Sequence, residues 1–305
     1  MTGITPVSFK LYDSDFNEFA RQLGASFERY GFAVVADHDL DQTRIDAAIG
    51  DAKALFALPA ETKDKYVSGK GGQRGYVPFG RETAKGAALH DLKEFWHVGR
   101  ELAPGHRFGA AMPPNVWPAE VASFRDNELW LFHALDGLGV QLLEAIAHYL
   151  GLPRGQFTAG VKDGNSILRL LHYPPLAADS GHVRAGAHED INTITLLLGA
   201  EEAGLEVLDR DGSWLPINAP PGAVVCNIGD MLSRNVCGRL PSTTHRVVNP
   251  APERRHVARY SMPFFLHFAP DYVIEPLDVG GPDAPQPPIT SDEYLKQRLR
   301  EIGLL

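Results

Sequence analysis

The stretch AHEDINTITLLL, residues 187–198, sets a histidine and two acids directly before a run of β-branched and aliphatic residues. In extended backbone, successive side chains point to opposite faces. His188 and Asp190 therefore share a face, and Glu189 points away from it. The apolar run behind them reads as a buried strand. An imidazole and a carboxylate converging on one side can hold a divalent metal. The chain has 12 histidines, so about one His-x-Asp is expected from composition alone. The pair thus needs a third donor, and the bland alternative is a strand-end histidine bonded to a neighbouring carbonyl.

His245, in RLPSTTHRVVNP (239–250), supplies that donor at the start of another strand pattern. Two imidazoles and one carboxylate on one face of a metal leave the opposite positions open. This set suits non-haem Fe(II) used with dioxygen, although Zn, Mn or Co could bind the same donors by affinity alone. Further on, Arg259 and Ser261 share a face of the apolar strand VARYSMPFFL (257–266). An inward arginine there needs an anion, because an unpaired buried charge is costly. Beside a hydroxyl it makes a carboxylate site; the alternative is pairing with a core acid.

From about Asn165 the chain alternates with period two. Strands are predicted at SILRLLHY, NTITLLL, LEVLD, SWLPI, AVVCNI, HRVVN and RYSMPFFLHF, separated by the turn signals DRDGS, APPG and NPAPE. Many short strands at regular spacing indicate a sandwich or barrel. Upstream, SDFNEFARQLGASFERYGF (14–32) reads as a helix capped by Ser14, with Phe16, Phe19, Leu23, Phe27 and Tyr30 on one stripe. FAVVADH (32–38) reads as a strand. A second helix aligns Ile45, Ile49, Ala52 and Phe56 and ends at Leu58-Pro59, where another short helix can open. Residues 68–116 are rich in Gly and Pro and read as irregular. A long helix is predicted from about Ala119 to Leu150, stopped by Gly151 and Pro153. GGPDAPQPP (280–288) reads as a linker to a final helix with a Thr290/Glu293 capping box.

The 305 residues are 44% hydrophobic and 22% charged, with a formal net charge of −9. That balance argues for a large core and against a nucleic-acid partner. Cys226 and Cys237 are too few for a disulfide framework and are read as structural thiols. MTGITPVSFK lacks a signal pattern, and no apolar run reaches the roughly 18–20 residues of a bilayer span. A cytoplasmic setting without membrane association is expected, and a monomer fits the reading.

LRLLHYPP, HEDINTITLLL, GLEVLDRDGSWLPI, VCNIGDMLSRNVCGRLPSTTHRVVNP and RYSMPFF occur in this order. Together they resemble the isopenicillin N synthase-like branch of the Fe(II)- and 2-oxoglutarate-dependent oxygenases. YGFAVVADHDLD, ALFALPAETKDKY and RGYVPFGRE resemble that family's non-haem dioxygenase N-terminal region, so the likeness spans nearly the whole chain. It implies an α+β fold with a mainly β core, a distorted double-stranded β-helix (jelly roll) flanked by helices. It also implies a division into 1–116 (N-terminal region), 117–270 (helix plus oxygenase core) and 271–305 (linker and C-terminal helix), forming one compact unit. Iron would be held by His188, Asp190 and His245, and the distal carboxylate of 2-oxoglutarate by Arg259 and Ser261, with Tyr173 touching cosubstrate or substrate. Dioxygen completes the set, and a small molecule is the expected substrate.

Where many plant members carry an asparagine two before the tyrosine, this chain has Leu171, and Arg169 shares that strand face. Isopenicillin N synthase and aminocyclopropane carboxylate oxidase keep the Arg-x-Ser pair without using 2-oxoglutarate, so an oxidase of that kind is the second reading. A non-catalytic jelly-roll binding protein is the third. Asn227 and Asp230 are candidates to support the ligands, Asp230 also reading as a turn residue. Arg74, Tyr76, Phe79, Arg81, Phe95 and Phe264 are candidate substrate contacts, together with the final helix. The pairs Arg81/Glu82 and Lys93/Glu94 also read as exposed charges of little energetic weight. Tyr260 and His267 read as structural.

Overall fold

The computed structural model describes residues 3–68, 73–81, 91–176, 184–198 and 204–303. Its helices are α1 (Leu11–Ser14), α2 (Phe16–Tyr30), α3 (Gln42–Phe56), α4 (Ala60–Lys63), α5 (Phe124–Tyr149), α6 (Thr158–Val161), α7 (Asp230–Asn235) and α8 (Ser291–Glu301). The N-terminal third carries strands β1 (Val7–Ser8), β2 (Phe32–Ala36), β3 (Gly75–Val77) and β4 (Glu94–Gly99). The core begins with β5 (Ile167–Tyr173), β6 (Ala185–His188), β7 (Ile194–Leu198) and β8 (Leu205–Leu208). It continues through β9 (Trp214–Pro216), β10 (Val224–Ile228), β11 (His245–Val247) and β12 (Arg259–Leu266). Strands β13 (Val273–Ile274) and β14 (Ile289–Thr290) form a short ribbon before α8.

Among the described residues eight strands make the major sheet in the order β1-β2-β10-β7-β12-β5-β4-β3, and four make the minor sheet in the order β6-β11-β8-β9. This is the mainly antiparallel two-sheet arrangement expected of a distorted double-stranded β-helix. One face of the major sheet packs on α2, α3 and α5. There Leu168, Leu170, Leu196, Met262, Phe264 and Leu266 join Phe19, Leu23, Leu135 and Leu142 in one apolar core. The other face looks into the jelly roll and carries the chemistry.

Helix α5 lies flat on the sheet. A Cβ on Gly139 would come within 2.9 Å of a Leu266 methyl and 3.4 Å of a Leu196 methyl, so glycine permits the close approach. By length and composition alone the helix could cross a bilayer; here its apolar stripe is buried against the sheet. It starts at Phe124 and not near Ala119, because the preceding residues form turns.

Two other expectations need correction. Asp15, not Ser14, caps α2, accepting from the Glu18 N–H at 3.1 Å; the Ser14 hydroxyl bonds back to the Lys10 carbonyl at the end of α1. The segment 68–116, read as irregular, contributes β3 and β4 to the major sheet. All six residues of β4 are buried, which removes the in–out alternation by which a strand is recognised. Positions 69–72 and 82–90 of that segment, Glu82 among them, lie outside the described residues.

Candidate active site

His188 ends β6, and His245 opens β11 directly opposite it in the antiparallel register. Their ring centroids are 4.4 Å apart. Asp190 lies two residues past β6, where the chain crosses from the minor to the major sheet. Its Oδ1 stands 3.9 Å from Nε2 of each imidazole. The three donor atoms lie within 4.8 Å of one another, a span one cation can bridge. Glu189 points the other way and accepts from the Thr244 hydroxyl at 2.8 Å.

The donor atoms are oriented by their other bonds. Nδ1 of His188 donates to the Gly186 carbonyl at 2.8 Å, and Nδ1 of His245 to the Thr243 carbonyl at 3.1 Å. A carbonyl can only accept, so Nδ1 carries the proton and Nε2 presents its lone pair. Oδ2 of Asp190 accepts from the Thr195 hydroxyl at 2.5 Å and from the Asn227 amide at 2.8 Å, leaving Oδ1 toward the histidines. Asn192 in turn donates to the Thr195 oxygen at 2.9 Å.

Burial works against the Asp190 carboxylate, but His245, His188, Thr195 and Asn227 outweigh it and hold the group below its ordinary pKa. Desolvation within the barrel and the facing His245 push the His188 imidazole down to about 4, although 44% of the side chain can still be reached from the open side. Both shifts favour the ligating forms, carboxylate and neutral imidazole.

Deeper in the jelly roll, Arg259 and Ser261 sit on the inward face of β12, both buried. Arg259 donates to the Ser261 hydroxyl at 2.9 Å, and its guanidinium lies 5.2 Å from the Tyr173 ring centre. Register explains the grouping, since Arg259 pairs with Tyr173 and Ser261 with Leu171. Arg169, on the same face of β5, donates to His97 at 2.7 Å. Its guanidinium lies over Phe95 at 4.2 Å and near Phe265 at 5.4 Å.

Of the candidate substrate contacts, Phe95 is on this inner face. Phe264 and Tyr76 are not: Phe264 packs edge-on against Phe132 of α5, and Tyr76 belongs to the core behind the sheet. Arg74 is buried with its guanidinium against Gly99, while Phe79 and Arg81 are exposed. Helix α8 packs behind α7 through Arg298–Asp230 and Ser291–Met231. Tyr260 stacks on His172 on the outer face.

The Lys93/Glu94 pair is not a loose surface feature. Glu94 is 1% exposed, bonded to Lys63 and His172 at 2.7 Å each and to the Tyr76 hydroxyl. Lys93 is tied to Asp91 at 2.9 Å. Asn227 reaches Asp190 as expected; Asp230 does not reach a histidine and instead begins α7, its backbone N–H donating to the Asp190 carbonyl at 2.7 Å. Cys226 and Cys237 are buried and free, and burial pushes the Cys226 thiol far up. Burial pushes the His267 imidazole down to about 4.

Sequence reasoning missed Thr195. It is the register partner of Asn227, so pairing β7 with β10 would have brought it to Asp190.

Known proteins match this arrangement. Residues 5–120 match the family described as non-haem dioxygenase in morphine synthesis N-terminal, and residues 164–268 match the 2OG-Fe(II) oxygenase superfamily. The 2-oxoglutarate-Fe(II) type oxidoreductase hxnY of Emericella nidulans is 31% identical over 296 residues, covering 92% of this chain and 83% of that protein. A solved Caulobacter crescentus structure, described as of the 2OG-Fe(II) oxygenase family, is 65% identical, with a TM-score of 0.93 over 99% of this chain and 100% of that one. A full-length Neurospora crassa protein solved in complex with alpha-KG is 29% identical, with a TM-score of 0.88 over 98% and 96% of the two chains; the same protein is also solved with alpha-KG and thymine.

Proposed function

The chain belongs to the 2OG-Fe(II) oxygenase superfamily, and from that premise we propose that His188, Asp190 and His245 hold its iron while Arg259 and Ser261 hold the distal carboxylate of 2-oxoglutarate, with Tyr173 touching cosubstrate or substrate. The protein is an Fe(II)- and 2-oxoglutarate-dependent dioxygenase acting on a small molecule. The observation that carries the residue roles is the convergence of two imidazole Nε2 atoms and Asp190 Oδ1, with every competing atom of the three side chains already bonded elsewhere.

When bound, iron and 2-oxoglutarate supply the oxidation: dioxygen is consumed, succinate and carbon dioxide leave, and a substrate C–H bond is oxidised. The chain's own residues position and exclude. Thr195 and Asn227 keep one carboxylate oxygen of Asp190 occupied, so the other is presented at a constant angle. Arg259 and Ser261 offer a charge-assisted grip at a fixed depth. Val77, Phe95, Leu171 and Tyr173 form an apolar wall beside it that keeps water from the reacting atoms.

The substrate is read as a compact, flat molecule with acceptor atoms. Arg169, between Phe95 and Phe265 and bonded to His97, puts a positive charge framed by aromatic faces on this inner wall. The thymine-bound Neurospora crassa structure supports the same size class.

The experiment is anaerobic titration of the Fe(II) protein with 2-oxoglutarate, followed by the weak visible absorption of the chelate, then admission of oxygen and a succinate assay across small heterocycles. Asp190→Ala is expected to lose both band and succinate while staying folded; normal succinate release would refute the ligand assignment. Arg259→Ala removes a contact commonly worth about 1.5–3 kcal/mol and raises the 2-oxoglutarate requirement at least tenfold. No heterocycle lifting succinate above the substrate-free rate would sink the substrate class.

A further inference from the structure

Arg184, just before β6, is 0% exposed, yet among the described residues its Nε and Nη1 have no hydrogen-bond partner. Its guanidinium is tethered at one corner only, Nη2 donating to the Val257 carbonyl at 3.0 Å. Its backbone N–H donates to the Asn249 side chain at 3.2 Å, pinning the start of the strand. Val257 lies two residues before Arg259, so the tether draws the guanidinium toward the beginning of β12, where Arg259 and Tyr173 sit side by side.

A fully buried cation with two empty donors is an expensive arrangement unless an anion completes it. Burial and the nearby Arg259 both lower the pKa of Arg184, and Tyr173 raises it. Among the described residues no carboxylate offsets it. An arginine remains charged under such pressure, so the position calls for an anion. The surroundings narrow the choice: the charged and titratable side chains acting on Arg184 are Arg259 and Tyr173, and Arg259 in turn bonds Ser261.

We propose that Arg184 is a second guanidinium on the distal carboxylate of the 2-oxo acid, joining Arg259 and making the site selective for a dicarboxylate. The proposal rests on the clamp reading of Arg259 and Ser261. Two cations around one carboxylate hold it more tightly than one, because each contributes charge-assisted bonds in a water-poor pocket. They also penalise an uncharged tail, which brings no negative charge to offset the two buried cations. Strand β6 then serves the site at both ends, with the cation before its first residue and the His188 donor at its last.

The test compares two ligands that differ only at that carboxylate. The Fe(II) protein is titrated anaerobically with 2-oxoglutarate and with 2-oxopentanoate, following the chelate absorption, in wild type, Arg184→Gln and Arg259→Gln. Melting temperature and Fe(II) binding are measured in each. Arg184→Gln is expected to weaken 2-oxoglutarate binding by about tenfold or more while leaving 2-oxopentanoate binding and Fe(II) binding unchanged. Equal weakening of both ligands, or no weakening of either, overturns the role of Arg184. The failures are separable: if Arg259→Gln discriminates between the ligands and Arg184→Gln does not, only Arg184 is misassigned. If Arg259→Gln fails to discriminate, the clamp reading itself falls, and this proposal with it. Should Arg184→Gln not fold, Arg184→Lys carries the test. Lysine keeps the charge but not both the Val257 bond and the carboxylate contact, so the preference for 2-oxoglutarate over 2-oxopentanoate must shrink; an unchanged ratio overturns the proposal.

Discussion

Asp190 shows how much of a metal centre lies outside its ligands. A carboxylate with two free oxygens can rotate between them; here Thr195 and Asn227 both hold Oδ2, and Asn192 holds Thr195. Thr195→Val keeps the side-chain shape but removes the hydroxyl. It is expected to weaken Fe(II) or Co(II) binding about 10- to 100-fold, the usual cost of losing such a partner, with little change in melting temperature. A metal titration of the folded apo-protein measures this directly, and unchanged affinity would show that Asn227 suffices. At this scale the proposed ligand set is legible in the sequence, because His-x-Asp, a distant His and Arg-x-Ser are distinctive residue types in strand contexts. Thr195 is not, since a threonine in a strand is ordinary and acquires meaning only once β7 lies beside β10. Arg184 escapes notice because nothing local marks an arginine whose partners are far along the chain, at Asn249 and Val257.

Among the elements, the amphipathic helices are readable and the fully buried pieces are not. The stripe of Phe19, Leu23 and Phe27 announces α2, whereas β4 hides because both of its faces are covered, one by the jelly-roll interior and one by the Glu94–Lys63–His172 cluster. Helix α5 contains the opposite anomaly, a charged residue type inside the apolar core. Glu128 is 0% exposed, with neither carboxylate oxygen bonded among the described residues, and burial, with Asp51 nearby, raises its pKa well above the ordinary value. The folded state therefore holds a proton that the unfolded chain releases above about pH 4.3. Stability must fall as the pH rises from there toward the folded pKa. Glu128→Gln should flatten that slope, and Glu128→Met, which removes the unsatisfied group, should stabilise the protein at pH 7 by about 1–3 kcal/mol. Denaturant melts at pH 5 and pH 8 check both; a wild-type stability that does not decline between them would mean that Glu128 has a counter-charge in solution.

Across the whole molecule, regions distant in sequence share one sheet. β2 from the N-terminal third pairs with β10, and β4 pairs with β5, so the N-terminal residues complete the major sheet on both sides of the core strands. The periodicity of single segments carries no information about such pairings, and this is why motif order, rather than periodicity, points to the jelly roll. The C-terminus closes the assembly in a different way. The Thr290/Glu293 capping box starts α8 as the sequence indicates, and Arg298 then reaches Asp230 at 3.0 Å. Asp230 opens α7, and its N–H bonds the Asp190 carbonyl, so the last helix is two contacts from the metal ligands. Arg298→Ala leaves a mostly buried Asp230 carboxylate without its cation. Burial already raises the pKa of that group, so the variant is expected to lose about 1–3 kcal/mol of stability, reduced from a deep pair because Arg298 is 31% exposed. If the last helix braces the site as well as the fold, Fe(II) affinity should fall in the same variant, and Asp230→Asn, which tolerates losing the arginine, should recover most of it when combined with Arg298→Ala. A double variant as weak in Fe(II) binding as Arg298→Ala alone would show that α8 stabilises the chain without bracing its metal centre.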